Sequence, residues 1–545
     1  VYKRQAWGWA LAIALAGVVA GTFSALRRYV SFRESRLVET RLRERILGHL
    51  LGLHIGYHDR AQTGQLMSRA SSDLNQVQLF VVMLPMTLSN LALVIAVVAV
   101  LVSTDPLLAA VALVPLPLVN VAARRFSTRI HPAVRAVQAE QAELATVVEE
   151  TVSGVRVVKG FGAEAVRSAR LANEADDIQR ASLGAARVRA THLPIIDALP
   201  TVGLIGVLAV GGHRVLRGEM TIGELVAFNF YVQLLVWPVR TIGMTVAFGQ
   251  RAAAALDRID DVLGTPAQVA DPPTVDRDRP SARGHVELRD VRFGYRDPER
   301  DAERDDGPDT GRDVLDGLDL VVEAGTSVAI VGATGSGKST IARLLIRFYD
   351  PDEGAVLLDG VDLRDRPVTE VRRSIGLVFE DTLLFHDTVR ANIAFARPDA
   401  SDEVIERAAR LAGAADFIAE LPDGYDTVIG ERGYSLSGGQ RQRLAIARAV
   451  VGDPAVLILD DATSAVDPAK EHEIRAAMGV VMEGRTTIVI AHRPGTIALA
   501  DRVVLLDEGR IVADGPHERL LVDEPRYRAV LAEAAGPAPE DSVAG

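Results

Sequence analysis

The sequence has no cysteine among its 545 residues, which excludes disulfides, thiolate metal sites and cysteine nucleophiles. It has no basic excess either. Sixty Lys and Arg against 72 Asp and Glu leave a net charge of −12, with no basic tail, so nucleic acid is not expected as a partner. There is no initiating Met and no charged n-region leading to a cleavage site, so a trimmed or fragmentary chain is expected. The most informative absence is charge from several long stretches. Residues 6–26, 74–104 and 106–123 lack any ionised side chain, and 198–213 and 225–239 are shorter runs of the same kind.

Each of the three longer runs approaches or exceeds the ~20 apolar residues a helix needs to cross a hydrocarbon core of ~30 Å. Asp105 alone separates the second from the third, so the pair reads as a helical hairpin turning at residues 103–106. The two shorter runs fit buried core helices or spans. Their pairing around the polar segment 214–224 favours spans. Seven arginines lie between Arg27 and Arg45, and Arg124, Arg125, Arg129 and Arg135 follow the third run. By the positive-inside rule these stretches are cytoplasmic. Helical periodicity continues through 27–73 and 124–190, so the helices are expected to project well beyond a membrane. It is interrupted by glycine-bearing turns at 56–64 and 154–164. Five spans would leave the N-terminus outside, beside Lys3 and Arg4; a missing first helix would resolve this.

Past a linker rich in Pro, Asp and Arg at 264–284, strand-like runs alternate with helical ones. The strands are expected at 285–288, 327–331, 355–358, 375–379, 455–459, 487–490 and 502–506, giving an α/β domain around a largely parallel sheet. The second of these runs leads into Gly332-Ala333-Thr334-Gly335-Ser336-Gly337-Lys338-Ser339-Thr340, which fits G-x-x-x-x-G-K-[ST] between a strand and a helix. The glycines let backbone N–H groups converge on phosphate oxygens, Lys338 supplies charge for the β/γ-phosphates, and Ser339 reaches Mg²⁺. The run 455–460 delivers Asp460 at a strand's C-terminal end, where a carboxylate can hold Mg²⁺. Leu436-Ser437-Gly438-Gly439-Gln440 opens a helix as a second anion-binding loop. One loop already serves the domain's own nucleotide, so the second is expected to face a nucleotide held by a partner domain.

Together these motifs resemble an ATP-binding cassette (ABC) exporter half-transporter, over nearly the whole chain. The resemblance implies an α-helical transmembrane domain, here with five long helices and the family's first helix missing, followed by an α/β P-loop NTPase domain of ABC type. The corresponding boundaries are 1–263, a linker at 264–284, 285–535, and a disordered tail at 536–545. It implies Walker A at 332–339, the signature at 436–440, Walker B at 456–460, the D-loop ending at Asp467, and His492 as the switch histidine. Tyr295 fits the aromatic that stacks on adenine, and 427–433 fits the exporter loop before the signature. The turns at 56–64 and 162–167 stand where exporters carry coupling helices. ATP and Mg²⁺ are the implied ligands, with Ser339, Glu380 and Asp460 on the metal. Lys338, Asp461 and His492 would act in hydrolysis. The signature residues and Asp467 would face a partner's nucleotide.

Two positions depart from the family pattern. Glu380 replaces a glutamine that ligates Mg²⁺ and senses the transport domain. Asp461 replaces the glutamate that orients the attacking water. One methylene fewer withdraws that carboxylate by about 1.5 Å, where a general base must sit roughly 2.6–3.2 Å from its proton donor. The expectation is a bacterial inner-membrane exporter of an unidentified substrate, its nucleotide-binding domain cytoplasmic, in a lipid bilayer. Its partner is a second half-transporter, a heterodimer being favoured over a homodimer with two aspartate-bearing sites. A nucleotide-gated or regulatory membrane subunit is the other alternative.

Overall fold

The computed structural model describes residues 2–273, 282–296, 313–430, 436–462 and 468–535. The chain divides into two compact units. The first comprises Val1–Leu50 and Gly64–Gly264, and the second Leu51–Thr63 and Thr265–Gly545. The short segment 51–63, in the middle of the helical half, therefore packs with the nucleotide-binding half of the chain.

The first unit is helical: α1 (Tyr2–Gly52), α3 (Thr63–Ser68), α4 (Leu74–Thr104), α5 (Pro106–Leu113), α6 (Pro115–Ser153), α7 (Val155–Gly160), α8 (Glu164–Leu216) and α9 (Ile222–Gly264). Among the described residues, five helical segments are long and apolar enough to cross a membrane. The runs at 198–213 and 225–239 belong to α8 and α9, of 53 and 43 residues, which settles them as parts of long helices rather than short core ones. At ~1.5 Å per residue α1 and α8 each span about 75–80 Å, more than twice a hydrocarbon core. Glycines permit close helix packing on α8. A Cβ at Gly206 would lie 2.9 Å from Val111 and one at Gly203 3.1 Å from Pro115.

Several polar side chains inside this unit are paired. Between α4 and α9, Thr87 and Thr245 share a hydrogen bond of 2.9 Å, and Asn90 donates to Thr241 at 3.0 Å. A π-helical turn at Arg69–Asp73 presents Asp73 to Arg258, which grips both carboxylate oxygens. The turn at Asp105 is held twice. Its Oδ1 accepts from the Leu107 and Leu108 amides at 3.0 Å as the N-cap of α5, with Pro106 at N1, and its Oδ2 pairs with Arg214.

The second unit contains α2 (Ile55–Arg60) and two sheets. The larger has the order β10 (Arg510–Gly515), β9 (Arg502–Asp507), β3 (Ser327–Val331), β8 (Thr486–Ile490), β7 (Val456–Asp460) and β6 (Ile375–Val378). All its strands are parallel except β10, which returns antiparallel to β9. The smaller is antiparallel: β2 (Leu315–Val322), β1 (Val286–Phe293), β4 (Glu353–Leu358) and β5 (Val361–Asp362). Strands β2, β5 and β10 were not expected from the sequence. In β2 and β10 burial alternates along the chain, so polar residues interrupt the apolar pattern that marks a doubly covered strand. All of β3, by contrast, is buried.

Asp105 allows its two roles to be separated. Asp105→Asn keeps a good N-cap but loses the ion pair, whereas Asp105→Ala loses both; the cap alone is worth about 1 kcal/mol. Thermal unfolding of the detergent-solubilised protein should fall in the order wild type, Asn, Ala. Equal losses for Asn and Ala would mean that the cap adds nothing.

Candidate functional site

The site is built where β3 ends. Gly332 leaves the strand at a point where any Cβ would overlap the Leu506 carbonyl oxygen. Gly335 and Gly337 take φ of 83° and 105°, and a Cβ on Gly337 would lie 2.8 Å from Leu315 and 3.0 Å from the Val314 carbonyl. The loop then enters the helix Lys338–Leu345, whose first N–H groups have no partner of their own in the helix. Lys338 Nζ turns back to donate to the carbonyls of Gly332 and Ala333, at 2.8 Å each. Burial pushes its ammonium down, while Asp460 and Asp461 oppose that shift. The Ser336 hydroxyl is buried and has no hydrogen-bond partner among the described residues.

A cleft of about 520 Å³ opens in front of this loop. It brings together Thr334, Gly335, Gly337, Lys338, Ser339 and Thr340 with Tyr295, Glu380, Asp460, Asp461 and His492. These come from five separate stretches of chain, carried to one place by adjacent strands: β3 lies beside β8, β8 beside β7 and β7 beside β6. Asp460 ends β7, Glu380 lies two residues past β6, and His492 two residues past β8. Val314 and Ile490 also line the cleft and carried no chemical signal in the sequence.

Electrostatically the cleft favours a cation beside its acids. Burial pushes the Asp460 carboxyl up and the Glu380 charge adds to this, with Ser339 and Arg343 pulling the other way. Ser339 Oγ stands 3.4 Å from Asp460 Oδ1. Serine hydroxyl and two carboxylates form a hard oxygen donor set, which fits Mg²⁺, and a divalent cation would offset the charge crowding. Burial also pushes Asp461 up, opposed by His492, Arg493 and Lys338, and lowers His492, with Lys338 reinforcing. Asp461 itself has φ 44°, a left-handed conformation in which Asp is enriched, and its N–H donates to Ile490 O at 2.9 Å. Its backbone is thus tied to β8.

The second loop lies apart from this cleft. Ser437 is the N-cap of the helix Gly438–Val450 in a reciprocal capping box with Gln440, at 3.3 and 2.9 Å. Arg441 donates to the Leu436 carbonyl at 2.7 Å. Gly438 and Gly439 form the first helical turn. None of these residues lines the nucleotide cleft. Asp467 and residues 431–433 lie outside the described residues.

The comparisons agree with the geometry. The ABC transporter transmembrane region model matches residues 3–239, and the ABC transporter model matches 315–464. The chain belongs to the ABC transporter family. Among its relatives, an ATP-dependent lipid A-core flippase of Syntrophus aciditrophicus (strain SB) is 36% identical over 530 residues, 95% of this chain and 84% of that protein. A multidrug efflux ATP-binding/permease protein of Mycobacterium bovis is also 36% identical, over 96% of this chain but 43% of that longer protein. A solved bacterial Atm1-family ABC exporter with ATP bound superposes with a TM-score of 0.76 at 32% identity, covering 97% of this chain and 92% of that one. This ABC transporter is an integral membrane protein in which a helical domain is fused to an ATPase domain, and ATP-driven export is its activity class.

Because Gly337 combines φ 105° with an overlapped Cβ position, Gly337→Ala should distort the loop even though it adds one methyl group. The expected result is about a five- to hundredfold loss of ATP affinity, from strain of about 1–3 kcal/mol in the folded loop. Equilibrium ATP binding checks this, and unchanged affinity would show that the loop is not where phosphate is held.

Proposed function

We propose that the chain is one half of a dimeric exporter in which its own ATP site turns over slowly and its signature loop completes the partner's site. The carrying observation is Asp461. It lines the cleft beside Lys338, Glu380, Asp460 and His492, yet it carries a side chain one methylene shorter than a water-orienting glutamate. A chain that had lost its activity altogether would have no reason to keep the phosphate loop and Leu436 to Gln440 while departing only at positions 380 and 461.

In this reading the backbone N–H groups of Gly335, Ser336 and Gly337 and the ammonium of Lys338 bind the triphosphate. Ala333, Thr334 and Thr340 complete the cradle, and Gly332 allows it to form. Ser339, Asp460 and Glu380 would hold Mg²⁺, which when bound offsets charge on the β/γ-phosphate oxygens. Lys338 exchanges the Gly332 and Ala333 carbonyls for phosphate. His492, held neutral by burial, hydrogen-bonds the γ-phosphate end, and Asp461 orients water from a withdrawn position. Tyr295 stacks on adenine. Ser437, Gly438 and Gly439 are aimed at a nucleotide bound to the partner, together with Asp467. The arginine-rich helix extensions support a cytoplasmic nucleotide-binding domain, which in this reading lies at the inner membrane.

Purified alone, this chain should hydrolyse ATP slowly, and Asp461→Glu should raise kcat. In the assembled heterodimer, replacing the partner's catalytic glutamate should abolish most turnover, while Asp461→Ala changes it little. Brisk hydrolysis by the isolated chain that is lost in Asp461→Ala would instead establish a homodimer in which aspartate is an adequate base.

Stacking of Tyr295 is tested separately. An aromatic ring on a base contributes about 1–3 kcal/mol in comparable settings, so Tyr295→Ala should weaken ATP binding about five- to a hundredfold. Unchanged affinity would remove Tyr295 from the base site.

A further inference from the structure

Tyr295 lines two cavities. One is the nucleotide cleft, and the other is a cavity of about 570 Å³ lined by Asp59, Arg60, Arg343 and Tyr349. Asp59 and Arg60 end α2, the short helix in the segment Leu51–Thr63 that packs with the nucleotide-binding unit and is joined covalently to α1 and α3. Their contacts converge on the tyrosine from two directions. Arg60 donates to the carbonyl of Arg296, the residue next to Tyr295, at 3.3 Å. Asp59 accepts a hydrogen bond of 2.7 Å from the Tyr349 hydroxyl and lies 3.9 Å from Arg343. Arg343 in turn donates to the Tyr295 hydroxyl at 3.2 Å.

The rings reinforce these polar links. Tyr295 and Tyr349 meet edge to face with centroids 5.3 Å apart, and Phe293 closes the triad at 5.0 and 5.4 Å. Burial and the Asp59 charge push the Tyr349 hydroxyl up, so it stays a donor. Helix α2 is also seated closely, since a Cβ on Gly56 would lie 2.9 Å from the Tyr349 ring. The Asp59–Arg343 pair is half exposed and contributes little by itself. The Tyr349–Asp59 and Arg343–Tyr295 hydrogen bonds and the Arg60 link to the backbone carry the connection.

We propose that Asp59 and Arg60 are positioning residues for Tyr295, acting through Tyr349, Arg343 and the Arg296 carbonyl, so that occupation of the base site and seating of helix α2 stabilise each other. This rests on Tyr295 being the base-stacking ring. A purine on Tyr295 is favoured by the pose that these contacts hold, and linkage makes the effect reciprocal: nucleotide strengthens the seating of a segment continuous with two membrane-domain helices. Of the residues that cradle phosphate only Thr340 touches this network, its Oγ1 lying 3.2 Å from the Tyr295 hydroxyl, so the network acts mainly on the base and much less on the phosphates.

The test measures binding of ATP and of inorganic triphosphate to the full chain in lipid nanodiscs. Asp59→Ala, which removes the acceptor for the Tyr349 hydroxyl, should weaken ATP binding roughly threefold to tenfold, the scale of one or two net hydrogen bonds, with inorganic triphosphate much less affected. Tyr295→Phe keeps the ring but removes the hydroxyl that Arg343 holds. In that background Asp59→Ala should have less than half its effect in wild type, a non-additivity expected of residues in one network. Gly56→Val, which lines no part of the nucleotide cleft, should reproduce the ATP loss by unseating α2, and Asp59→Asn, which keeps an acceptor oxygen, should retain part of the affinity that Asp59→Ala loses. Full additivity of Asp59→Ala with Tyr295→Phe would overturn the relay, as would equal losses for ATP and inorganic triphosphate. If Tyr295→Ala weakens ATP binding but Asp59→Ala does not, the relay fails and base stacking stands. If Tyr295→Ala has no effect, both fall.

Discussion

The nucleotide-binding unit depends on one constraint: an ammonium group has to be held beside a cradle of backbone amides without collapsing it. Lys338 is largely buried and donates to the Gly332 and Ala333 carbonyls, so its charge is satisfied by the same loop whose amides face the cleft. The loop can take this shape only because Gly332 and Gly337 occupy positions a side chain could not share and Gly335 adopts a left-handed φ. It is anchored because β3 is buried along its whole length between β9 and β8. Parallel neighbours then fix the rest of the site. Each ends on the same side of the sheet, so Glu380, Asp460, Asp461 and His492 arrive at the cleft in the order of their strands.

The acids in that cleft are balanced against each other. Glu380 raises Asp460, whereas His492, Arg493 and Lys338 lower Asp461 against its burial. Glutamine at position 380 would remove the first of these effects. The departures at 380 and 461 therefore change one shared charge balance, and both belong to the question of how fast this site turns over. Asp461 adds a backbone feature, since its φ of 44° suits an aspartate and its amide is fixed to Ile490.

The helical unit follows a different rule. Long apolar helices associate through small residues and through polar side chains that find each other, because lipid offers a stray polar group no partner. Asp105 with Arg214, Asp73 with Arg258, and the Thr87–Thr245 and Asn90–Thr241 bonds are all pairs far apart in sequence. No periodicity in the chain announces them.

Much was legible in the sequence by itself. The uncharged runs marked the apolar parts of the membrane-length segments, and the Gly-rich turn between a β-branched run and a helix marked the phosphate loop, because both signals are local and each residue type has one physical use there. Seven of the ten strands among the described residues were readable for the same reason. Strands β2, β5 and β10 were not, since alternating exposure or a two-residue length leaves no apolar run. Only the tertiary structure decided which distant residues share a site. It turned Ser437 into a helix cap, set Val314 and Ile490 in the cleft, and placed Asp59 and Arg60 within reach of the residues around Tyr295. Those juxtapositions depend on sheet order and on how helix α2 packs, quantities that no local pattern of residues encodes.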